Sequence, residues 1–275
     1  MQVAYFKMQG TGNKIVVVDQ REKNLPPPAA SRLRELGNET SGPGFDQLMW
    51  ISPPQNSSLA ANYRVFNADG SEVEQCGNGV RCVARILATE LAHANNFTLG
   101  SPAGPVSVRV DDDLVSVSMG CPAFEPASVP FLADQPALQY PLEVDSQTLE
   151  IQVVSMGNPH CVIEVTNVDD APVRQLGPSI EHHERFPAKA NVGFMRILDA
   201  DNIELRVHER GVGETLACGT GACAAVVCGQ RRGRLGERVR VRLPGGQVVV
   251  SWAGGTEPVW LTGNAELISE GTLDL

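Results

Sequence analysis

The pattern of apolar and polar positions predicts many short strands and a pair of apolar helices. Strands are predicted where β-branched or aromatic residues cluster between turn residues, at 6–8, 15–18, 45–50, 63–66, 98–99, 106–110, 114–119, 238–243, 247–251 and 259–262. The segments 111–113 and 245–246 are typical of hairpin turns between such strands. A short helix is predicted from Ala29 to Leu36, after a rigid run of three prolines.

Each apolar helix follows a cysteine and two alternating glycines. The two motifs are Cys76-Gly77-Asn78-Gly79-Val80-Arg81-Cys82 and Cys218-Gly219-Thr220-Gly221-Ala222-Cys223. Glycines at such a junction allow the backbone to approach a ligand closely, and the free N–H groups of a helix start favour an anion. The same field favours thiolate over thiol, so we expect the pKa of Cys76 and of Cys218 to fall below the unperturbed ~8.5. Two such motifs suggest a symmetric arrangement around one ligand.

The second half of the chain repeats the order of the first, which indicates an internal duplication. Segment 155–163 corresponds to 8–16, segment 193–195 to 44–45, and segment 207–214 to 66–72. Prolines at 122, 126 and 130 interrupt the strand pattern between the halves. We therefore predict an α+β protein with two pseudo-symmetric domains, 1–120 plus 266–275 with Cys76, and 121–265 with Cys218. In each, a curved sheet would surround one helix.

Composition and charge narrow the class of protein. The 275 residues suffice for about two domains, and contents of 42% hydrophobic and 20% charged residues are those of an ordinary soluble protein. The net charge of −10 argues against a nucleic-acid partner. The absence of a leader and of an 18-residue apolar stretch favours a cytoplasmic protein without a membrane partner. Seven scattered cysteines fit a reducing compartment, and their spacing is unlike zinc ligation, so no metal is expected.

Five motifs in register resemble the diaminopimelate epimerase family over essentially the whole chain. They are Gly12-Asn13, the turn 66–71, the first cysteine motif, 156–161, and Glu209-Arg210-Gly211 with the second cysteine motif. The resemblance implies cofactor-free epimerisation of the small-molecule substrate diaminopimelate, in bacterial lysine and cell-wall synthesis. It also implies a homodimer, and a cleft between two similar domains, each a β-barrel-like sheet wrapped around a central helix.

The resemblance, with the matched helix starts, implies that Cys76 and Cys218 are the catalytic pair. Inverting an α-carbon requires a proton to leave one face and another to arrive on the opposite face, which a thiolate and a thiol on two sides would achieve. The substrate-binding residues that it implies are Asn13, Gln47, Asn67, Gly77, Asn78, Asn158, Asn191, Glu209, Arg210, Gly219 and Thr220. Arg210 suits the distal carboxylate and Glu209 an ammonium. His160 and Glu209 are candidates for tuning the thiols or exchanging protons with solvent.

Two departures from the family pattern lie near these residues. Lys14 and Ile15 stand where the family usually has Asp and Phe, and Thr220 stands where Ser is more frequent. Threonine keeps the backbone N–H that a ligand would use. Lys14 adds a charge beside the predicted ligand-facing turn.

Other interpretations remain open from the residues alone. A proline racemase or hydroxyproline epimerase would keep two cysteines, but we would not expect the 66–71 or 157–161 motifs in it. A pyridoxal-phosphate racemase would need a Schiff-base lysine, and a redox switch would join Cys76 to Cys218 without turnover. The remaining cysteines are interpreted as small buried hydrophobic residues, namely Cys82, Cys121, Cys161, Cys223 and Cys228. His93 and His208 belong to no motif.

Overall fold

The computed structural model describes residues 1–73, 76–90 and 95–275, without the side chain of residue 90, so His93 lies outside it. The helices among these residues are α1 Ala30–Gly37, α2 Gly77–Glu90, α3 Val173–Glu181 and α4 Gly219–Arg231. The strands are β1 Gln2–Gly10, β2 Asn13–Asp19, β3 Gln47–Ser52, β4 Ala61–Asn67, β5 Glu72–Val73, β6 Asn96–Ser101, β7 Gly104–Asp111, β8 Leu114–Ser118, β9 Tyr140–Val144, β10 Gln147–Ser155, β11 Pro159–Glu164, β12 Asn191–Asp199, β13 Asn202–Glu209, β14 Gly213–Thr215, β15 Arg238–Leu243, β16 Gly246–Ser251, β17 Trp260–Asn264 and β18 Glu266–Asp274.

The chain forms two compact units. Unit 1 comprises Met1–Ser118 with Thr262–Leu275, and unit 2 comprises Met119–Leu261. The sequence predicts these boundaries after residues 120 and 265. In the parts of the chain that the structure describes, no helix is long and apolar enough to cross a membrane.

Unit 1 places its sheet around helix α2. Strand β1 pairs antiparallel with β2, β2 runs parallel to β3, and β3 pairs antiparallel with β4. Helix α2 contacts β1, β2, β3, β7 and β8, so the sheet curves around it as expected. A Cβ on Gly79 would lie 2.4 Å from Met49 Sδ, so a larger residue there would displace the Met49 side chain of β3.

Unit 2 has the same arrangement around helix α4. Strand β10 pairs antiparallel with β11, β11 runs parallel to β12, and β12 pairs antiparallel with β13. Helix α4 contacts β10, β11, β12, β13 and β16, and its residues from Gly221 to Gly229 are buried. Small Ala, Val, Cys and Gly side chains allow this all-round packing.

Matching details support the duplication. Gly12 and Gly157, which precede the strands β2 and β11, both adopt left-handed backbone conformations, with φ of 83° and 86°. An Arg64–Glu72 ion pair joins β4 to β5, and an Arg206–Glu214 ion pair joins β13 to β14 at the same spacing. The two halves therefore repeat side-chain contacts as well as strand order.

Two sequence-based expectations about the fold are wrong, and one helix was not predicted. The match of 193–195 with 44–45 fails because Phe194 lies inside β12 whereas Phe45 precedes β3; the first residue of β12, Asn191, instead corresponds to Gln47. Helix α3 was not predicted, since Gly177 and Pro178 interrupt its pattern. Cys121 is exposed rather than buried, and its Sγ donates to the carbonyl of Thr256.

Candidate active site

Unit 1 places Cys76 immediately before helix α2. The backbone N–H of Gly79 donates to Cys76 Sγ at 3.4 Å, and the N–H of Val80 donates to the Cys76 carbonyl at 2.9 Å. The N–H groups of Gly77 and Asn78 occupy the first helical turn, where an α-helix offers no acceptor of its own. The sulfur therefore lies at the positive end of a helix whose leading N–H groups can meet an anion.

The amide side chains of unit 1 meet at one edge of its sheet. Strands β2 and β3 begin at this edge and β4 ends there, which places Asn13, Gln47 and Asn67 on neighbouring strand ends. Asn78 Nδ2 donates to Asn13 Oδ1 at 2.5 Å, and Gln47 Nε2 donates to Asn67 Oδ1 at 3.1 Å. The structure thus brings together the predicted binding residues of this unit around the start of α2.

The turn that precedes Asn13 is held by the fully buried Arg81. Its guanidinium donates to Thr11 Oγ1 at 2.7 Å and to the carbonyl of Asn264 at 3.4 Å. A Cβ on Gly263 would lie 3.2 Å from the guanidinium carbon, so the neighbouring strand packs directly on this side chain. Arg81 therefore ties α2 to the turn that presents Asn13.

Lys14, which stands where the family usually has Asp, points to the surface. Its ammonium pairs with Glu39 and both side chains are more than half exposed, while its backbone N–H donates to Asp46 Oδ2 at 2.8 Å. The Glu39 carboxylate raises the pKa of Lys14. The extra charge is therefore paired on the side of β2 opposite the buried Ile15.

Unit 2 places Cys218 at the N-cap of helix α4. The N–H of Gly221 donates to Cys218 Sγ at 3.4 Å, as Gly79 does for Cys76, and Thr220 Oγ1 lies 3.5 Å from the sulfur. Cys218 is only 4% exposed. Burial, and then the charge of Glu209, raise the pKa of Cys218 well above its usual value. The expectation of a lowered pKa is therefore wrong for this cysteine, because desolvation outweighs the helix field.

Glu209 contacts the Cys218 thiol directly. Its carboxylate accepts a hydrogen bond from that thiol and a second from Thr215 Oγ1 at 2.5 Å. Burial raises the pKa of Glu209, and these two hydrogen bonds counteract that rise in part. Thr215, which the sequence analysis missed, therefore fixes the carboxylate that faces the sulfur.

The remaining polar side chains of unit 2 form a chain of contacts beside α4. His160 Nε2 bonds Asn158 Oδ1 at 2.9 Å, and Asn158 Nδ2 donates to Thr220 Oγ1 at 3.4 Å. Burial, and then the charge of Arg210, lower the pKa of His160 to about 3, so the ring is neutral near pH 7. His160 thus orients Asn158, while its role in proton exchange stays a prediction.

Arg210 immediately follows β13, with its backbone N–H hydrogen-bonded and its side chain exposed. Its N–H donates to Asn191 Oδ1 at 3.0 Å, and Asn191 Nδ2 donates to the Pro159 carbonyl at 3.1 Å. One guanidinium nitrogen donates to the carbonyl of Ala188 at 3.1 Å. The other donors of an arginine fork can therefore meet a carboxylate.

Two further residues that the sequence analysis missed lie next to this segment. Glu181, at the end of α3, contacts both His208 and the N–H of Gly211. Their spacing in sequence gives no local signal. The only hint was the position of His208 immediately before Glu209.

A solved structure shares this duplicated fold. A crystal structure of a probable proline racemase from Agrobacterium radiobacter K84 superposes with a TM-score of 0.72 at 16% identity, over 99% of this chain and 93% of that one. At this identity the likeness shows the fold alone. The two-unit fold of this chain is thus shared with a protein described as a probable proline racemase.

Similarity in amino-acid sequence identifies the family, which similarity in fold does not. The family model for diaminopimelate epimerase matches residues 5–125 and 152–268. Diaminopimelate epimerases of Ectopseudomonas mendocina (strain ymp) and Alkalilimnicola ehrlichii are 46% and 48% identical to this chain, each over 100% of both sequences. The chain belongs to the diaminopimelate epimerase family.

Proposed function

We propose that the protein interconverts LL- and meso-2,6-diaminopimelate without a cofactor, in lysine and peptidoglycan precursor synthesis. Membership of the diaminopimelate epimerase family supports the assignment of diaminopimelate as the substrate. The observation that best supports the chemistry is the matched pair of helix-start cysteines, each with a backbone N–H on its sulfur. The proposal assigns one cysteine to each face of a single α-carbon.

The proposed step moves protons without changing any oxidation state. A thiolate removes the α-proton, and the electron pair of the broken C–H bond stays on the carbanion. The other cysteine then delivers its thiol proton to the opposite face. The two sulfurs exchange protonation states, so the next turnover runs in the reverse sense or after proton exchange with water.

We assign the starting thiolate to Cys76 and the starting thiol to Cys218. Support comes from the raised pKa of Cys218, which burial and Glu209 cause, and from the uncharged Asn67 at the corresponding strand end of unit 1. Glu209 is assigned to hold the Cys218 proton, whereas the resemblance implied an ammonium ligand. This assignment favours, in the free enzyme, the stereoisomer whose α-proton faces Cys76.

The other predicted residues are assigned to binding and to charge stabilisation. The N–H groups of Gly77, Asn78, Gly219 and Thr220 would meet the substrate carboxylate as negative charge develops next to it. Removal of one such preorganised donor typically costs about 3 kcal/mol in the barrier. The exposed fork of Arg210 is assigned to the distal carboxylate, and the side-chain amides to the backbone of the substrate, namely Asn13, Gln47, Asn67, Asn158 and Asn191.

A cytoplasmic homodimer is proposed on the family resemblance and on the exposure of β18. Leu267 and Ile268 are 53% and 51% exposed, and neighbouring residues on both faces of this strand are exposed as well. Exposed apolar side chains are suited to packing against the face of a second copy, with β18 still paired to β1. Light scattering on Leu267→Glu and Ile268→Glu tests this surface; a wild-type monomer would refute the dimer.

Stereoisomer-resolved assays in deuterium oxide test the proposed reaction. LL- and meso-diaminopimelate should each convert to the other and gain one deuterium at the α-carbon, with no stimulation by pyridoxal phosphate and no loss with a chelator. The second candidate, proline or hydroxyproline racemisation, is favoured only by the shared fold. Turnover of proline without turnover of diaminopimelate would overturn the proposal.

A further inference from the structure

Glu181 and His208 form a buried pair next to the Glu209-Arg210 segment. The two side chains are 5% and 7% exposed, and His208 Nε2–H donates to Glu181 Oε2 at 2.8 Å. Glu181 is the last residue of α3, and His208 immediately precedes Glu209 on β13. The pair therefore joins a helix end to the strand end that presents two site residues.

The same carboxylate also binds the other end of this segment. Glu181 Oε1 accepts from the backbone N–H of Gly211 at 2.9 Å, where the chain turns with φ of 75°. One carboxylate oxygen thus holds the residue before Glu209, and the other holds the residue after Arg210. Any shift of Glu181 would move both ends of the Glu209-Arg210 dipeptide together.

Helix α3 has a face shaped for this contact. A Cβ on Gly177 would lie 2.6 Å from Cγ and 2.7 Å from Nδ1 of His208, so the imidazole packs against bare helical backbone. Glu181 lies one helical turn later, on the same face. Glycine inside a helix costs roughly 1 kcal/mol relative to alanine, and here it makes room for the ring.

Net stability is a weak explanation for such a buried carboxylate. Replacing a buried ion pair with apolar side chains is frequently neutral or stabilising, whereas a pair with fixed hydrogen bonds specifies geometry. The other basic side chains near Glu181 Oε1 lie farther away, with His182 Nε2 at 3.9 Å and Lys189 Nζ at 4.0 Å. The two short hydrogen bonds of the Glu181 carboxylate are both made with the segment 208–211.

We propose that Glu181 and His208 are positioning residues that hold Glu209 against Cys218 and the Arg210 N–H against Asn191. The expected effect of this positioning on turnover rests on the proposed function. The geometric role does not, because the contact between Glu209 and Cys218 exists whatever the substrate is.

The test compares Glu181→Gln with Glu204→Gln. A glutamine amide has one accepting oxygen where the carboxylate has two, so Glu181→Gln can keep the Gly211 bond only by turning its amide nitrogen towards His208. Keeping the His208 bond as well would then require the imidazole proton to move to Nδ1, which packs against the backbone at Gly177. Glu204 is an equally buried carboxylate on the same strand as His208, but it pairs with Arg196 and Arg242. The measured quantities are kcat, KM, the unfolding temperature, and the iodoacetamide alkylation rates of Cys218 and Cys76 at pH 8.

Displacement of Glu209 should make Cys218 more reactive. We expect Cys218 in Glu181→Gln to alkylate at least about threefold faster than in wild type, which corresponds to roughly half a pKa unit. The Cys76 rate should not change, and kcat/KM should fall about tenfold or more, with contributions from both kcat and KM. Glu204→Gln should change the unfolding temperature alone.

His208 variants test the same inference if Glu181→Gln does not fold. His208→Gln places an N–H donor near the position of Nε2 and should restore most of kcat/KM, whereas His208→Met fills similar space without a donor and should not. Unchanged Cys218 alkylation and unchanged kcat/KM in Glu181→Gln and His208→Met would overturn the inference. If wild type lacked diaminopimelate turnover, the proposed function would fail while the alkylation comparison still decided the positioning role.

Discussion

Units 1 and 2 each contain a half-site, which is the helix-start cysteine with the polar residues around it. The half-sites of units 1 and 2 share a backbone arrangement but differ in charge. Each has a cysteine at a helix start, with an N–H on its sulfur at 3.4 Å. At the preceding strand end, unit 1 has Asn67 and Ala68 where unit 2 has Glu209 and Arg210. The duplication therefore kept the hydrogen-bond donors of the backbone and varied the charged side chains.

This difference suits a reaction that uses two bases. Two identical half-sites would give both thiols the same pKa, so neither would be preferred as the thiolate, whereas each turnover uses one thiolate and one thiol. The carboxylate of Glu209 favours the thiol form of Cys218, whereas the residue at the corresponding strand end of unit 1 is the neutral Asn67. In the proposed mechanism, this difference in charge would favour Cys218 as the starting thiol.

The largest expected effect comes from removing either sulfur. Cys76→Ala and Cys218→Ala should each reduce epimerisation far below a tenth of wild type, since a tenfold loss is only about 1.4 kcal/mol of barrier. Each variant should still exchange the α-proton of one stereoisomer with deuterium. The stereoisomer that exchanges in Cys76→Ala should not be the one that exchanges in Cys218→Ala.

The control is Cys121→Ala, because Cys121 is the exposed cysteine of unit 2. It should leave turnover and exchange unchanged. Retention of a tenth of wild-type activity in either active-site variant would remove that cysteine from the mechanism.

A smaller loss is expected from Arg210→Lys, which keeps the charge and loses the planar fork. KM should rise and kcat/KM should fall by roughly tenfold or more, the equivalent of about 1.4 kcal/mol. Arg174→Lys is the control, because Arg174 is an exposed arginine of the same unit that pairs with Glu214. Unchanged kinetics in Arg210→Lys would show that this side chain does not bind a carboxylate.

Exchanging the charges of the half-sites should shift thiol reactivity in opposite directions. The pKa of Cys218 is raised by burial and then by Glu209, so Glu209→Gln should lower it and move the alkylation profile of Cys218 to lower pH. Asn67→Asp adds a carboxylate and should move the profile of Cys76 to higher pH.

Mass spectrometry of partly alkylated protein measures both profiles in one sample. A several-fold change at fixed pH is expected for each altered half-site, with the other as internal reference. A shift of the Cys218 profile to higher pH in Glu209→Gln would contradict the assignment of Cys218 as the starting thiol.

The smallest effects are expected at the ion pair that the two units repeat. Arg64–Glu72 is largely exposed, so Arg64→Met should cost under about 1 kcal/mol of unfolding free energy. Arg206 is better buried and also donates to the carbonyls of Val168 and Ala171. Arg206→Met should therefore cost about 2 kcal/mol, and equal costs in denaturant titrations would show that burial does not distinguish the pairs.

Local pattern was sufficient to predict the two helix starts and most strands. The glycines of the cysteine motifs and the β-branched runs are signals within a few residues of one another. The pKa of Cys218 required knowledge of its burial, which depends on strands distant in sequence. The pair of Glu181 and His208 was missed for the same reason. Helix α3 was missed because Gly177, a residue that disfavours helices, is present there to make room for the His208 ring.

The exposure of β18 has a consequence for folding yield. An exposed strand with adjacent Leu267 and Ile268 is a template for pairing between incompletely folded chains, which leads to aggregation. Acidic residues interrupt this strand at Glu266, Glu270 and Asp274. They act as gatekeepers, because neighbouring copies of the strand would bring like charges together. Replacing them with amides should leave the native fold intact while lowering the fraction of soluble protein recovered on refolding.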